Sequence, residues 1–176
     1  PYSSGLSVYA HRLAKGLAAL GHEVVVLTSQ YQKELPSEET MEGFRVIRVP
    51  VRGRISKGVL MPGLLKAAHK WITWADAVNL HLPQFESLLL AIEAKLHQKP
   101  LLVTYHCDLQ IQGNSINRLA GWVTQTLGAW VLKMADSIVQ NSLDYAENSR
   151  WLKPHIEKTR EVPIPVELIK ADAAHV

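Results

Sequence analysis

The order of hydrophobic segments predicts an α/β chain: a doubly wound, mostly parallel sheet with helices on both faces. Three observations carry this expectation. Short runs such as Val24-Val25-Val26-Leu27 and Leu101-Leu102-Val103-Thr104 are apolar without alternation, as strands covered on both faces are. Between them lie longer segments whose apolar residues recur three and four apart, the spacing of one helix face. The two kinds of segment alternate along the chain, as the crossover connections of parallel strands require.

The elements follow in order. Leu6, Tyr9, Ala10, Leu13, Leu17 and Leu20 predict a helix over Ser7–Leu20, stopped by Gly21. His22-Glu23 leads into a strand over Val24–Thr28. A helix that opens such a unit normally follows a strand, so a first strand is expected before Pro1. Ser29–Gly43 is polar and acidic and reads as a surface loop. Phe44–Val49 is the second strand, ended by Pro50, and Arg52–Gly58 is a basic loop. Leu60–Trp74 reads as a helix with Leu64, Leu65, Ala68, Trp71 and Ile72 on one side. Ala77–His81 is a strand before Pro83, and Phe85–His97 a helix with Leu88, Leu89, Ile92 and Leu96 facing inward. Lys99-Pro100 introduces the strand Leu101–Thr104. Asn114–Met134 is a long helix, in which Trp122 and Trp130 are expected in the core. Ser137–Gln140 is a fifth strand, and Ser142 caps a helix to about Leu152. Val162-Pro163-Ile164 is a last short strand, and Lys170–Val176 reads as the start of a linker. No internal repeat interrupts the series, so residues 1–176 are expected to form a single Rossmann-like domain.

Composition narrows the function. The 176 residues are 47% hydrophobic and 20% charged, ordinary values for a globular chain. The single cysteine, Cys107, excludes a disulfide framework within the chain and any multi-cysteine zinc site. No apolar run has the length of a membrane span, and the residues from Pro1 to His11 do not read as a secretory signal. A cytoplasmic location is expected. Nineteen basic and 16 acidic side chains leave a net charge of +3, too small to indicate nucleic acid. Its distribution is uneven: Arg45, Arg48, Arg52, Arg54, Lys57, Lys66 and Lys70 fall in one stretch without Asp or Glu. Such a stretch attracts anions. With Leu60, Met61, Leu64, Leu65, Trp71 and Trp74, residues 52–74 are either a membrane-surface helix and its basic approach or a surface helix whose apolar side is core.

In open parallel sheets ligands sit at the carboxyl ends of the strands. The polar residues Thr28-Ser29, His81, His106, Asp108 and Asn141-Ser142 converge on those ends, and Ser3-Ser4-Gly5 precedes the first helix there. Backbone N–H groups at a helix N-terminus suit a phosphate, which makes Ser4 and Gly5 a candidate phosphate turn. His106 is either a ligand contact or a loop histidine satisfied by backbone. Asp108 has three readings: orienting His106, binding a polar ligand through charge-assisted bonds, or capping the next segment. His81 either touches a ligand or ends its strand structurally. Metal is not expected, because His81, His106 and Asp108 lack tight helical ligand spacing. No Gly-x-Ser-x-Gly elbow of a serine hydrolase occurs.

Taken together, five stretches resemble the N-terminal half of a GT-B glycosyltransferase of family 4. They are Pro1–Gly5 with Leu13-Ala14 and Leu17; Gly21-His22-Glu23-Val24 with Val26 and Thr28; Asp76 through His81 with Pro83; Thr104-Tyr105-His106-Cys107-Asp108; and Ala135-Asp136-Ser137-Ile138 with Asn141-Ser142 and Tyr145. Pro163, Val166 and Glu167 stand where the family has Pro-x-Gly-Val-Asp. The chain departs from the pattern in Ser4-Gly5 for a glycine pair, Cys107 for serine, and Pro165 and Glu167 for glycine and aspartate.

The resemblance implies one half of a two-domain, metal-independent, retaining enzyme. The sugar of a nucleoside diphosphate sugar would pass to a glycan or lipid-linked acceptor, with the donor held mainly by a C-terminal domain outside this sequence. It implies His106 and Asp108 as catalytic, Ser4 and Gly5 at the donor phosphates, and His81 and Tyr105 toward the acceptor. Peripheral contact with the inner membrane face goes with a lipid-linked acceptor. The alternative is a non-catalytic glycan- or lipid-headgroup-binding module, or one subunit of a two-chain enzyme.

Overall fold

The computed structural model describes residues 4–55, 58–109 and 115–165. Ser3, the exit positions Val166 and Glu167, and the tail from Lys170 lie outside the described residues. The architecture is mixed α/β, built mostly on parallel strands flanked by helices.

Helix α1 (Gly5–Ala19) starts at Ser4, whose hydroxyl accepts the Ser7 N–H while the Ser7 hydroxyl accepts the Ser4 N–H. It stops at Gly21, which takes the left-handed φ of 89° expected of a helix-ending glycine. Strand β1 (Val25–Gln30) follows. The segment expected to be a loop holds a further strand, β2 (Glu38–Met41), antiparallel to β3 (Phe44–Pro50). Glu42 and Gly43 turn the chain with φ of 47° and 88°, the paired positive values that tight hairpins need. A Cβ on Gly43 would lie 3.3 Å from the Ala18 Cβ of α1, so this glycine also admits the helix.

Alternation along β3 sets the layers. Phe44 and Val46 pack with Ala14 and Ala18 of α1. Val49 points the other way, into the core that holds Leu64, Ala68 and Ile72 of α2 (Leu64–Trp74). Before α2 the expected basic loop is a hairpin, β4 (Gly53–Ile55) with β5 (Gly58–Leu60). The all-basic stretch is partly neutralised: Arg45 pairs with Glu38 and Arg48 with Glu39, both across the β2–β3 ladder. Sequence distance hid these acids, which the hairpin folds back onto the bases.

The second sheet is wholly parallel, in the order β6 (Val78–Leu82), β7 (Leu101–Tyr105), β8 (Ser137–Gln140), β9 (Thr159–Glu161). The single sheet expected from the alternation is therefore divided, and among the described residues β1 and β6 each pair on one side only. A shared core still joins the parts, because Leu27 of β1 packs against the cluster that contains Leu80 and Leu82. The last strand falls on Thr159–Glu161 rather than Val162–Ile164, since Pro163 has no N–H to give a ladder. Ser142 caps α5 (Leu143–Asn148) as expected, but that helix is shorter, and a 3₁₀ segment, Lys153–Lys158, follows.

Two helix faces differ from expectation. In α3 (Ser87–Leu96) the buried residues are Ser87, Leu90, Ala91 and Ala94, while Leu89, Ile92 and Leu96 are exposed. The Leu88-Leu89-Leu90-Ala91-Ile92 run is apolar on every side, so its period did not identify the inner face. Small alanines let α3 lie close to its neighbours. In α4 (Ser115–Met134) the buried stripe is Gly121, Gln125, Gly128 and Leu132, with Val131. Trp122 and Trp130, expected in the core, are 64% and 55% exposed. Glycine, not tryptophan, marks the contact face: the Gly128 backbone lies against Leu82.

Asp136 fastens the turn between α4 and β8. Its carboxylate accepts the Leu101 N–H at the head of β7 and the Lys95 ammonium of α3, both at 2.7 Å. Those bonds, the backbone one foremost, hold its pKa below the usual carboxylate value. Leu132, with no exposed surface, sits at the centre of the larger core. Leu132→Ala is expected to lower the unfolding free energy by about 3–5 kcal/mol through lost burial and an unfilled cavity. Chemical denaturation checks it, and a loss under about 1 kcal/mol would remove Leu132 from the core.

Candidate functional site

The parallel register pairs His81 of β6 with Thr104 of β7, and Leu82 with Tyr105. The ladder continues one step past the strand, where the His106 N–H donates to the Leu82 carbonyl at 3.0 Å. Both histidines are thereby carried to the carboxyl ends of adjacent strands. Their rings stack at 5.3 Å with 17° between planes, and His81 Nδ1 lies 3.0 Å from His106 Nε2. One ring nitrogen donates its proton and the other accepts, so the pair is satisfied with both imidazoles neutral.

Tyr9, in the second turn of α1 and 3% exposed, completes the group. Its ring meets His106 edge-on at 5.1 Å and His81 at 6.0 Å. The start of α1 therefore lies beside the histidine pair. Ser4 and Gly5 head this helix, whose first N–H groups have no acceptor within it. The Ser4 hydroxyl and the Ser4 N–H are both used in the cap with Ser7. Around Gly5 an added Cβ would meet nothing within 4 Å, so the turn has open space on that side.

Asp108 is held differently from any simple partnership with His106. Its Oδ1 accepts from the Tyr105 hydroxyl at 2.7 Å and from the Ser149 hydroxyl at 2.8 Å. Its own N–H donates to the Tyr145 hydroxyl at 2.7 Å. Gln125, buried in α4, donates to the Tyr105 oxygen at 2.6 Å and accepts the Leu109 N–H at 3.1 Å. This network ties the loop after β7 to α4 and α5. Among the described residues no buried polar side-chain atom lacks a partner.

The resemblance assigned Tyr105 to the acceptor. Tyr105 is instead 3% exposed, with its hydroxyl committed to Asp108 and Gln125, so it positions the loop from beneath. Burial, then its bond to the Asp108 carboxylate, pushes its pKa far up, and it stays a neutral donor. Sequence reasoning missed Tyr9, Gln125 and Ser149. By spacing alone Tyr9 is one more apolar position of its helix, while Gln125 falls on the buried stripe of α4 as a polar break, the one sequence signal that marks it. Each deserved pairing across the fold spans many residues, which local spacing does not record.

Burial lowers the His81 pKa to about 4, with the neighbouring His106 adding to the effect, and burial also lowers that of His106. An imidazole in the unfolded chain titrates near about 6.5, so below that pH the unfolded chain takes up the proton first. The stability contributed by neutral His81 is present in full above that value and is lost as pH falls toward 4. The loss amounts to about 3 kcal/mol. His81→Asn keeps a hydrogen-bonding side chain but removes the titration, so its stability is expected to fall less over this interval. Parallel pH profiles of unfolding for the two proteins would contradict a neutral buried His81.

A family model described as a glycosyl transferase 4-like domain matches residues 4–166. No curated protein matches the chain. The matched span takes in the α1 turn, both histidines, Asp108 and every strand of the two sheets. The chain belongs to the glycosyl transferase 4-like domain family, and so to a family of transferases.

Proposed function

We propose that this protein is the acceptor-side part of a retaining glycosyltransferase, moving a sugar from a nucleoside diphosphate sugar to a glycan or lipid-linked acceptor. The observation that carries the reading is the His81–His106 pair at the strand ends beside the N-terminus of α1. In this reading His106 hydrogen-bonds a hydroxyl of the donor sugar and orients its anomeric carbon. A neutral imidazole suits that task, because it donates and accepts without adding charge near a forming oxocarbenium ion. His81 supports His106 from the other ring face and lines the acceptor side.

The diphosphate leaves as the bond between the anomeric carbon and its oxygen breaks. The acceptor oxygen attacks from the same face, and its proton passes to the departing phosphate oxygen. The Ser4 N–H is spent on the Ser7 hydroxyl, so in this reading the Gly5 end of the turn faces the developing negative charge, where fixed donors contribute most. A C-terminal domain beyond this sequence holds most of the donor. No metal is required in this scheme, since the helix terminus and that second domain meet the diphosphate charge.

A lipid-linked acceptor has its own support. Trp74, Leu65, Lys66 and Lys70 are exposed on α2, a mixture that suits an anionic membrane surface through residues 52–74. Among the described residues no helix is long and apolar enough to cross a membrane.

His106→Ala in the full chain is expected to lower turnover about 10²–10³-fold while circular dichroism stays native. Unchanged turnover with the working donor would remove His106 from the reaction. Gly5→Ala adds a methyl to open space, so the thermal midpoint should hold while the donor KM rises severalfold. An unaltered donor KM would take the diphosphate away from this turn.

A further inference from the structure

A second cluster lies at the other end of the parallel sheet. His69 stands on the exposed side of α2, and Glu93 and His97 close the last turn of α3. His97 precedes the Lys99-Pro100 entry into β7, so this cluster sits by the amino end of that strand, whereas His81 and His106 sit at carboxyl ends. Packing of α2 on α3 brings His69 to residues 24 and 28 positions later.

His69 Nδ1 lies 2.6 Å from Glu93 Oε1, and His97 Nε2 lies 3.1 Å from the same oxygen. The three ligand atoms are all within 4.8 Å of one another. The two rings meet edge-on at 5.2 Å and 64°, and both bring a nitrogen to the same Glu93 oxygen. The Glu93 side chain is 20% exposed and that of His97 33%, while His69 lies on the solvent side at 62%.

We propose that His69, Glu93 and His97 form a binding site for a divalent transition metal of the zinc class, pinning α2 to α3. Two imidazoles and one carboxylate are a common zinc donor set, and three protein ligands leave the fourth tetrahedral position to water. Bonds of about 2.0–2.2 Å to a tetrahedral ion separate neighbouring donor atoms by about 3.3 Å. The donors need only small rotations to reach that spacing, since His97 sits one turn from Glu93 on the same helix and His69 is exposed. The nitrogen-rich set disfavours Mg²⁺ and Ca²⁺, which select oxygen. The ion would cross-link the helix layer and stabilise the fold by mass action, away from the sugar-transfer site.

Tag-free full chain is titrated with Zn²⁺ by calorimetry and with Co²⁺ by visible absorption. One equivalent is expected to bind with micromolar or tighter affinity, with the intense visible bands of tetrahedral Co²⁺ and a raised thermal midpoint. His69→Ala and His97→Ala should each weaken binding by more than about 100-fold, beyond the roughly 10–100-fold that loss of an outer-shell partner costs. Because His69 is exposed, its variant should keep the metal-free thermal midpoint, so loss of binding there is not loss of fold. Mg²⁺ should not compete. Absence of micromolar binding, affinity unchanged from the parent chain in either histidine variant, or binding that persists in them and disappears in His81→Ala would each overturn the site.

Discussion

The parallel register of β6 against β7 is the constraint on which the rest of the site depends. Pairing His81 with Thr104 sets both strands to end together, and the extra bond from the His106 N–H to the Leu82 carbonyl extends the ladder by one residue. A shift of β6 by one position would turn each of its side chains to the opposite face. His81 and His106 could not then meet, and Leu80 and Leu82 would leave the core they now share with Val103 and Tyr105. Packing and chemistry are therefore fixed by the same hydrogen bonds. The core selects the register, and the register delivers two imidazoles to hydrogen-bonding distance.

Around this pair the fold uses two kinds of support. Tyr9 gives an apolar edge to both rings, excluding water and favouring their neutral forms. The Tyr105–Asp108–Ser149 group, with Gln125 and Tyr145, gives the loop after β7 a complete set of hydrogen bonds to α4 and α5. A half-satisfied buried network would cost stability, whereas a satisfied one holds a loop as firmly as a strand does. Asp108 serves that rigidity directly, and any effect of it on His106 passes through the position of the loop. The zinc-class site proposed between α2 and α3 would add a third restraint, at the opposite end of the sheet.

Much of the fold was legible from segment chemistry. Gly21 as a helix stop, Ser142 as a cap, and the strand Ser137–Gln140 follow from rules that act within a few residues, and the structure agrees with each. The failures share a cause. The β2–β3 hairpin depends on a Glu42-Gly43 turn embedded in acidic residues, whose polarity reads as loop. The inner faces of α3 and α4 depend on close approach at Ala91, Ala94, Gly121 and Gly128, where small side chains carry little hydrophobic signal. At the site, His81 and His106 are each readable from the strand-end rule. Their contact, the Tyr9 cover and the His69–Glu93–His97 cluster are not, because each joins residues that only the tertiary fold brings together.

A buried, neutral, mutually hydrogen-bonded histidine pair is the central physical feature, and nitrogen NMR of the imidazole rings in the full chain tests it most directly. At pH 7 both His81 and His106 should show neutral rings, with one N–H nitrogen facing one unprotonated nitrogen across the pair. An imidazolium pattern on either ring at that pH, or no hydrogen-bonded nitrogen in either, would contradict the pair and with it the reading of His106 as an uncharged contact for the donor sugar.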